Sequence, residues 1–258
     1  SAASDVYKRQ TEQAVCDIKE FAKGSLYCSN AETFWGIEDK QKIKGQGDIL
    51  EAGSRIFSQN ITMQSLDTGS ITSFNMSGNI LVHLEPAKHI PVFCLFTVYE
   101  DDCGIDKNGQ YIINLSEEKK ETIKKHFPKA NSVAIITEPY KFLDDVSESI
   151  GCEIKHGEVH YFHIDEGLEI EGSNQRAIDM EYMKYLMQDV PPVIKDGKTT
   201  YSFQADYVFR ALFCKDVFFS DEQEYRIVLP HEKVSKGTSY PVKLSESIKI
   251  LSLSEFFK

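Results

Sequence analysis

The chain has few basic residues and no long apolar segment, and each absence excludes a class of function. Lys and Arg number 29 against 40 Asp and Glu, which gives a formal net charge of −11. Nucleic-acid coats and binders of anionic membranes need clustered Lys and Arg, so the charge argues against both, though not against an enzyme with a local basic patch. No apolar run approaches the roughly 20 residues that cross a bilayer. With no secretory signal either, we expect a cytoplasmic protein without a membrane partner.

Metal-binding and phosphate-binding motifs are also missing. The cysteines form no Cys-x-x-Cys pair, and no His lies at zinc-ligand spacing from two of them, so we expect no metal site. Neither a Gly-x-Ser-x-Gly elbow nor a Gly-x-x-x-x-Gly-Lys loop is found. The scattered cysteines are instead typical of reduced thiols in a cytosolic protein, most of them buried. They are Cys16, Cys28, Cys94, Cys103, Cys152 and Cys214.

The remaining composition is that of a globular protein. With 258 residues, of which 41% are hydrophobic, the chain can bury a full core. Ser1–Gln10 shows no periodicity that continues into the adjoining residues, and we interpret it as a non-native or disordered tag. No composition shift divides the rest, which predicts a single domain over residues 11–258.

Helical and strand patterns are mixed without regular β-α-β alternation. Ser116 is a suitable N-cap for a helix ending at His126, and a second helix is predicted from Pro139 to Ile150, with Gly151 ending it. The segment Phe203–Phe213 is ambiguous between helix and strand. These patterns predict an α+β fold with a largely antiparallel sheet core and flanking helices. The predicted strands include Ser25–Ser29, Ser54–Met63, Ile90–Tyr99, Ser132–Thr137, Gly157–Ile164 and Val217–Leu229.

Two acids in the last of these strands form the strongest candidate site. Side chains two apart in a strand point to the same side, so Glu222, Glu224 and Arg226 are predicted to share one face. Such a pair of carboxylates suits chemistry at a sugar anomeric carbon, where one acid stabilises an oxocarbenium-like transition state and the other directs a nucleophile. The alternative is that Arg226 pairs with Glu224 on an ordinary exposed surface.

Three further residues are candidates for nucleotide contacts. Lys215 could bind a phosphate as a point charge, although a Lys beside Phe218 and Phe219 is more often a surface residue with a partly buried stem. Tyr27 and Ser29, on an early strand before a helix start, could contact an adenine and a phosphate, because backbone N–H groups at a helix N-terminus favour anions. Their alternative interpretation is an ordinary structural strand.

Histidines and other acids suggest weaker sites. His160 and His163 are three positions apart in a predicted strand, so they point to opposite faces and do not favour joint metal binding. A metal-dependent nuclease is a third functional alternative. It would need four acids, Asp48, Glu51, Glu222 and Glu224, to converge on one ion.

Three segments together resemble a broad family of bacterial and phage proteins. These are Gly24–Ser29 with Phe34 after it, the central Val92–Phe96, and the late strand with Lys215, Phe219 and Glu222-x-Glu224-Tyr225-Arg226. The family has an early Gly-x-Leu-Tyr-Phe-Ser-like segment, a middle Cys-Phe-Ser-like strand and a late Lys…Glu-x-Glu-Tyr-Arg strand. The resemblance spans most of residues 20–230.

The late strand is also similar to that of mono-ADP-ribosyltransferases. This resemblance implies an ADP-ribosyltransferase-like fold, with NAD as substrate and Glu224 as the catalytic acid that holds the nicotinamide ribose. It implies that Glu222 directs the acceptor and that Tyr27 and Ser29 lie near the first NAD-contacting strand. That strand normally supplies an Arg or His, and neither occurs between Tyr27 and Phe34. The next arginine along the chain, Arg55, is therefore the candidate for that NAD contact.

The resulting hypothesis is a cytoplasmic transferase that moves ADP-ribose from NAD to protein or nucleic acid, with a role in phage–host conflict, as a toxin or in phage defence. The main rival is a non-catalytic module of the same fold that binds a nucleotide or a protein. In that alternative Glu224 and Arg226 form a structural pair.

Overall fold

A computed structural model describes residues 18–41, 47–58, 61–64, 68–74, 78–109, 111–127, 130–200 and 203–258. Helices and short strands are mixed along the chain. In the described ranges every strand pair is antiparallel except one. The α+β class with largely antiparallel strands is therefore confirmed, and the tag predicted for residues 1–10 lies outside the described ranges.

The strands are short, and most consist of three to six residues. In chain order they are β1 (Ser25–Cys28), β2 (Gly53–Ser58), β3 (Ile61–Gln64), β4 (Ile71–Phe74), β5 (Gly78–His83), β6 (Val92–Phe96), β7 (Cys103–Ile105), β8 (Tyr111–Ile113), β9 (Ser132–Ile135), β10 (Lys155–Glu158), β11 (His160–Phe162), β12 (Leu168–Glu169), β13 (Arg176–Ala177), β14 (Val193–Lys195), β15 (Lys198–Thr200), β16 (Cys214–Asp216), β17 (Glu224–Val228), β18 (Thr238–Pro241) and β19 (Lys249–Ser252).

Two helix boundaries follow from local capping chemistry. The Ser116 hydroxyl accepts a hydrogen bond from the Lys119 N–H at 3.2 Å, and the left-handed Gly151 (φ 70°) comes directly after the helix that starts at Pro139; both boundaries confirm the sequence prediction. The α-helices are α1 (Ala31–Gln41), α2 (Glu117–His126), α3 (Pro139–Ile150), α4 (Met180–Leu186) and α5 (Leu253–Phe256). The 3₁₀ helices are Glu85–Ala87, Glu100–Asp102, Ala205–Phe213 and Val217–Glu222.

The described chain divides into two compact units. The first comprises residues 18–33, His89–Glu158 and Asp221–Lys258, and the second comprises Phe34–Lys88 and Val159–Ser220. The single-domain interpretation of residues 11–258 stays a prediction, because compactness does not measure whether a unit folds alone.

The first unit is organised around β17. This strand pairs antiparallel with β6 on one side and with β10 on the other. Strand β1 pairs with β18, and just beyond β1 an antiparallel bridge joins Ser29 to Val92, the first residue of β6. Strand β17 therefore has hydrogen-bonded neighbours on both sides, which fixes the direction of its side chains.

One face of β17 and β6 contributes to the core of the first unit. Ile227 of β17 belongs to a buried cluster with Leu26 of β1 and with Phe142 and Val146 of α3. Phe142 and Val146 are four positions apart, so they lie on the same side of α3. The alternation in β17 thereby directs Ile227 towards α3 and turns its neighbour Arg226 to the opposite face.

The second unit holds the β2–β5 ladder, the parallel β11–β16 pair and α4. Trp35 stacks on His83 with ring centroids 3.9 Å apart, and its indole N–H donates to the Glu51 carbonyl at 2.7 Å. The buried Tyr182 hydroxyl donates to the Gly53 carbonyl at 2.9 Å. Each aromatic side chain thus buries its ring while its polar atom keeps a partner.

Two of the predicted strands are wrong in detail, and one ambiguous segment is resolved. Phe203–Phe213 contains a 3₁₀ helix, which agrees with the helical alternative. The predicted strand Gly157–Ile164 is divided between β10 and β11. The predicted strand Val217–Leu229 begins as the 3₁₀ helix Val217–Glu222, because an Asp216 carboxylate oxygen accepts the Phe218 N–H at 3.1 Å and starts a turn there.

Gly24 and Gly151 give a matched test of backbone packing in the first unit. Both have positive φ, but a Cβ on Gly24 would lie 2.0 Å from the Val242 carbonyl oxygen, whereas nothing lies within 4 Å of one on Gly151. We expect Gly151→Ala to lower the free energy of unfolding by about 1 kcal/mol and Gly24→Ala by more than about 2 kcal/mol. Urea unfolding followed by circular dichroism measures both; equal losses would contradict the packing at Gly24.

Candidate functional site

Glu224 opens the central strand of the first unit. It is the first residue of β17 and pairs with Phe96, the last residue of β6. The glutamate is only 7% exposed and Arg226 only 1%. The site therefore lies at the start of a strand that pairs with β6 at Glu224 and also with β10 from Tyr225 onward.

Glu224 and Arg226 form a buried ion pair. Arg226 Nη2 donates to Glu224 Oε2 at 3.0 Å, as expected for side chains two apart on one strand face. The predicted pairing is confirmed, but its placement on an exposed outer surface is wrong. Removing one partner of a buried pair leaves the other charge buried without compensation, so the two residues depend on each other.

Glu222 does not belong to the strand. It is the last residue of the 3₁₀ helix Val217–Glu222, and the next residue, Gln223, has φ 43°. The prediction that Glu222 and Glu224 enter one strand at i and i+2 is therefore wrong, because the left-handed Gln223 breaks the alternation between them. Glu222 is half-buried, and it flanks the turn rather than the sheet.

The turn at Gln223 is tied to the end of β6. The Thr97 N–H donates to the Gln223 carbonyl at 2.8 Å. In return, Gln223 Nε2 donates to the Thr97 carbonyl at 2.9 Å and to Asp102 Oδ2 at 3.2 Å. A non-glycine residue in the left-handed region costs about 1–2 kcal/mol, and these contacts offset that strain.

Asp102 is the buried acceptor at the centre of these contacts. It is 2% exposed and accepts hydrogen bonds from Lys119 Nζ of α2, from Gln223 Nε2 and from the Tyr99 N–H. Burial raises the pKa of Asp102, but the hydrogen bonds from Lys119, Gln223 and Tyr99 together outweigh burial and leave the pKa below its ordinary value. The carboxylate therefore stays charged and acts only as an acceptor.

Sequence reasoning missed Asp102, Lys119 and Gln223. In the sequence Gln223 is only the spacer between Glu222 and Glu224, and Asp102 is one of several acids in the segment Glu100–Asp102. The available signal was Gln223 itself, a polar residue between two acids just before an apolar strand. Nothing local shows that Asp102 contacts Gln223 or that Lys119 of α2 contacts Asp102. These contacts span 17 and 121 positions along the chain.

Tyr27 lies on β1, and Ser29 directly follows the last residue of that strand. Tyr27 is 48% exposed, and its hydroxyl lies so close to Gly237 that a Cβ there would be 1.9 Å from it. Ser29 exchanges backbone hydrogen bonds with Val92. Ser29 bridges to Val92, whereas Glu224 pairs with Phe96, four residues further along β6. Ser29 and Glu224 are therefore separated by about 13 Å along the direction of β6. Their contacts with NAD stay a prediction.

Arg55 and Lys215 belong to the second unit. Arg55 Nε pairs with Asp165 Oδ1 at 2.5 Å. Lys215 is 7% exposed, with its Nζ 4.3 Å from the centre of the Phe219 ring. The interpretation of Lys215 as a surface residue is therefore wrong, whereas the nucleotide-binding roles of both residues stay predictions.

The four acids of the predicted nuclease site are divided between the two units. Asp48 and Glu51 are buried in the second unit, whereas Glu222 and Glu224 belong to the first. The ring of His160 lies 4.5 Å from that of Tyr185. Among the residues that the structure covers, no group of three or more His, Cys, Asp or Glu is arranged to hold a metal ion.

Two of the free cysteines are fully buried. Cys28 lies in the core of the first unit, where burial raises the pKa of its thiol to about 12, and Cys214 is buried in the second. Cys94 is exposed, and Cys103 and Cys152 are partly so. The expectation that most are buried is therefore wrong for the described cysteines, while Cys16 lies outside the described ranges.

No family model, curated protein or solved structure matches this chain. Over the described ranges, no helix combines the length and the apolar character that a bilayer crossing requires. The observation that bears on function is therefore the geometry around Glu224.

A double-mutant cycle tests the buried pair. Arg226→Met is expected to lower the free energy of unfolding by about 3–5 kcal/mol, because Glu224 would keep a buried, uncompensated charge. Adding Glu224→Gln should recover a large part of that loss, since neither charge then remains. Urea unfolding of the single and double variants measures the coupling. Additive losses would show that the two side chains do not interact.

Acid titration tests the state of Asp102. Because its folded pKa is lowered, its contribution to stability is present above its ordinary pKa near 4 and is lost as the pH falls through the lower folded pKa. We expect the difference in unfolding free energy between wild type and Asp102→Asn to shrink as the pH falls from about 5 to about 3. Asp101→Asn, at the exposed neighbour, is the matched control. A constant difference would contradict the lowered pKa.

Proposed function

We propose that this chain is a cytoplasmic ADP-ribosyltransferase-like enzyme that uses NAD as its substrate. It transfers ADP-ribose to a protein or nucleic acid and acts in phage–host conflict. The segment Glu222-x-Glu224, which leads into a strand rich in Val, Leu and Pro, resembles the corresponding segment of mono-ADP-ribosyltransferases. An ADP-ribosyltransferase-like arrangement of the α+β fold is part of the same proposal.

The observation that carries the proposal is the fixed orientation of the Glu224 carboxylate. Its position is fixed by β17, and one of its oxygens is hydrogen-bonded to the buried guanidinium of Arg226. A charged group oriented in advance stabilises a developing opposite charge without reorganising at the moment of reaction. In a water-poor setting such an interaction is stronger than in bulk solvent.

The reaction assigns separate roles to the two acids. The bond between the nicotinamide nitrogen and ribose C1′ breaks, and nicotinamide leaves with the electron pair. Glu224 stabilises the oxocarbenium-like ribose and contacts its hydroxyl, as acids do in glycoside hydrolysis. Glu222, in the turn before the strand, directs the acceptor and takes the proton that the acceptor loses on bonding to C1′.

The same ion pair also favours a second candidate, a non-catalytic module that binds a nucleotide or a protein. Arg226 is 1% exposed, and its hydrogen bond occupies one oxygen of Glu224. In this alternative the pair serves only to stabilise β17. The two candidates differ in one measurable property. Only the enzyme releases nicotinamide from NAD, and it loses that activity when the Glu224 carboxylate is replaced.

Glu224→Gln is expected to lower release of nicotinamide from NAD by about 10²–10³-fold, because it removes the negative charge that faces the ribose cation. Chromatographic quantification of nicotinamide measures the rate. Glu222→Gln should lower transfer to an acceptor but not the hydrolysis of NAD. The matched control is Glu153→Gln, at an exposed glutamate paired with Lys155.

Glu224→Gln leaves the Arg226 charge buried, so the double variant with Arg226→Met provides a folded protein without either charge. If the purified wild type releases no more nicotinamide than these variants, the enzyme proposal fails. The non-catalytic module then takes its place.

A further inference from the structure

The chain reaches Glu224 through a backbone conformation that glutamine does not favour by itself. Gln223 has φ 43°, whereas the other non-glycine residues with positive φ in the described ranges are Ala52 and Asp196. A strained residue persists where its surroundings fix it. Gln223 comes directly before Glu224, so other contacts must hold Gln223 in this strained conformation.

The restraint comes from two other elements of the first unit. Gln223 Nε2 reaches Asp102, which ends the 3₁₀ helix Glu100–Asp102, and Asp102 in turn pairs with Lys119 of α2. Lys119 lies in the first turn of α2, where the Ser116 cap fixes the start of the helix. The contacts thus run from a capped helix through a buried carboxylate to the residue preceding Glu224.

The contacts that lead from α2 through Asp102 to Gln223 are strong or well-formed hydrogen bonds. The Lys119–Asp102 bond joins opposite charges at 2.5 Å, and charge-assisted hydrogen bonds are about twice as strong as neutral ones. Asp102 is additionally fixed by the Tyr99 N–H at 3.1 Å and, through its own carbonyl, by the Asn114 N–H at 2.7 Å. The acceptor for Gln223 is therefore held by contacts that do not involve the turn itself.

We infer that Asp102 and Lys119 are positioning residues that act through Gln223 to set where Glu224 enters the sheet. The inference rests on the proposed function and deepens it, because it assigns the alignment of the acid to residues outside the late strand. None of the three residues contacts substrate in this role. Displacement of a catalytic group by about 1 Å can cost on the order of 10²-fold in rate, which makes such alignment measurable.

Gln223→Gly separates positioning from stability. Glycine adopts positive φ without strain, so the loss of side-chain contacts is offset by relief of the backbone. We expect kcat for nicotinamide release to fall by about 10–10²-fold, while KM for NAD and the thermal midpoint change little. Asp102→Asn and Lys119→Met should lower kcat in the same way.

Asp196→Gly is the matched control. Asp196 also has positive φ (51°), but it lies in the exposed turn between β14 and β15 of the second unit. This variant relieves the same kind of strain away from Glu224 and should keep the wild-type kcat and KM.

Amide hydrogen exchange gives a readout that does not depend on turnover. In Asp102→Asn the Thr97 N–H, which donates to the Gln223 carbonyl, should exchange at least about 10-fold faster, whereas the Ile227 N–H in the middle of β17 should not. Unchanged exchange at Thr97 would overturn the inference, as would a uniform increase across β17.

The failure of this inference differs from the failure of the proposed function. Wild-type kcat in Gln223→Gly and Asp102→Asn, together with a strong loss in Glu224→Gln, overturns the positioning role and leaves the enzyme intact. Equal turnover in Glu224→Gln and wild type overturns the proposed function, and the positioning role falls with it.

Discussion

The buried ion pair between Glu224 and Arg226 is the interaction on which the arrangement of the first unit depends. Strand β17 lies between β6 and β10, so both of its edges are paired and a wrong register would place charges in the core. Ile227 packs against α3 on one face, while the two charges meet on the other at 3.0 Å. Two buried charges are tolerated there because each is the partner of the other.

A buried charge pair contributes specificity more readily than net stability, because desolvation offsets much of its Coulomb energy. In β17 the pair favours one alternation of side chains over the shifted one. The turn at Gln223 acts with it, since Asp102 holds Gln223 and thereby sets the first residue of the strand. Strand register and strand start are thus fixed by two separate sets of polar contacts.

Buried polar groups also organise the second unit. Asp216, 4% exposed, accepts hydrogen bonds from the Ile164 and Asp165 N–H groups through one oxygen and from the Phe218 N–H through the other. Asp165 in turn pairs with Arg55. A carboxylate that satisfies three backbone donors substitutes for regular secondary structure in the segments it joins.

Local chemistry made several features predictable from the sequence. Capping and hydrophobic patterning act over a few residues. They account for the helix that Ser116 caps, the helix that Gly151 ends and the α+β class with largely antiparallel strands. The pairing of Glu224 with Arg226 was predictable for the same reason, because a spacing of two in a strand fixes it.

Contacts between distant segments decided the rest. The apolar residues Val217–Phe219 fit a strand as well as a turn. The Asp216 carboxylate that starts the turn is held by the distant Ile164 and Asp165 N–H groups. Burial of Arg226 depends on what packs over β17, which spacing along one strand does not encode. Asp102 approaches Gln223, and Lys119 approaches Asp102, only after the chain has folded. The sequence alone thus determined the two capped helices, the fold class and the charge pair. Tertiary packing decided that the pair is buried and that Glu222 stands outside the strand.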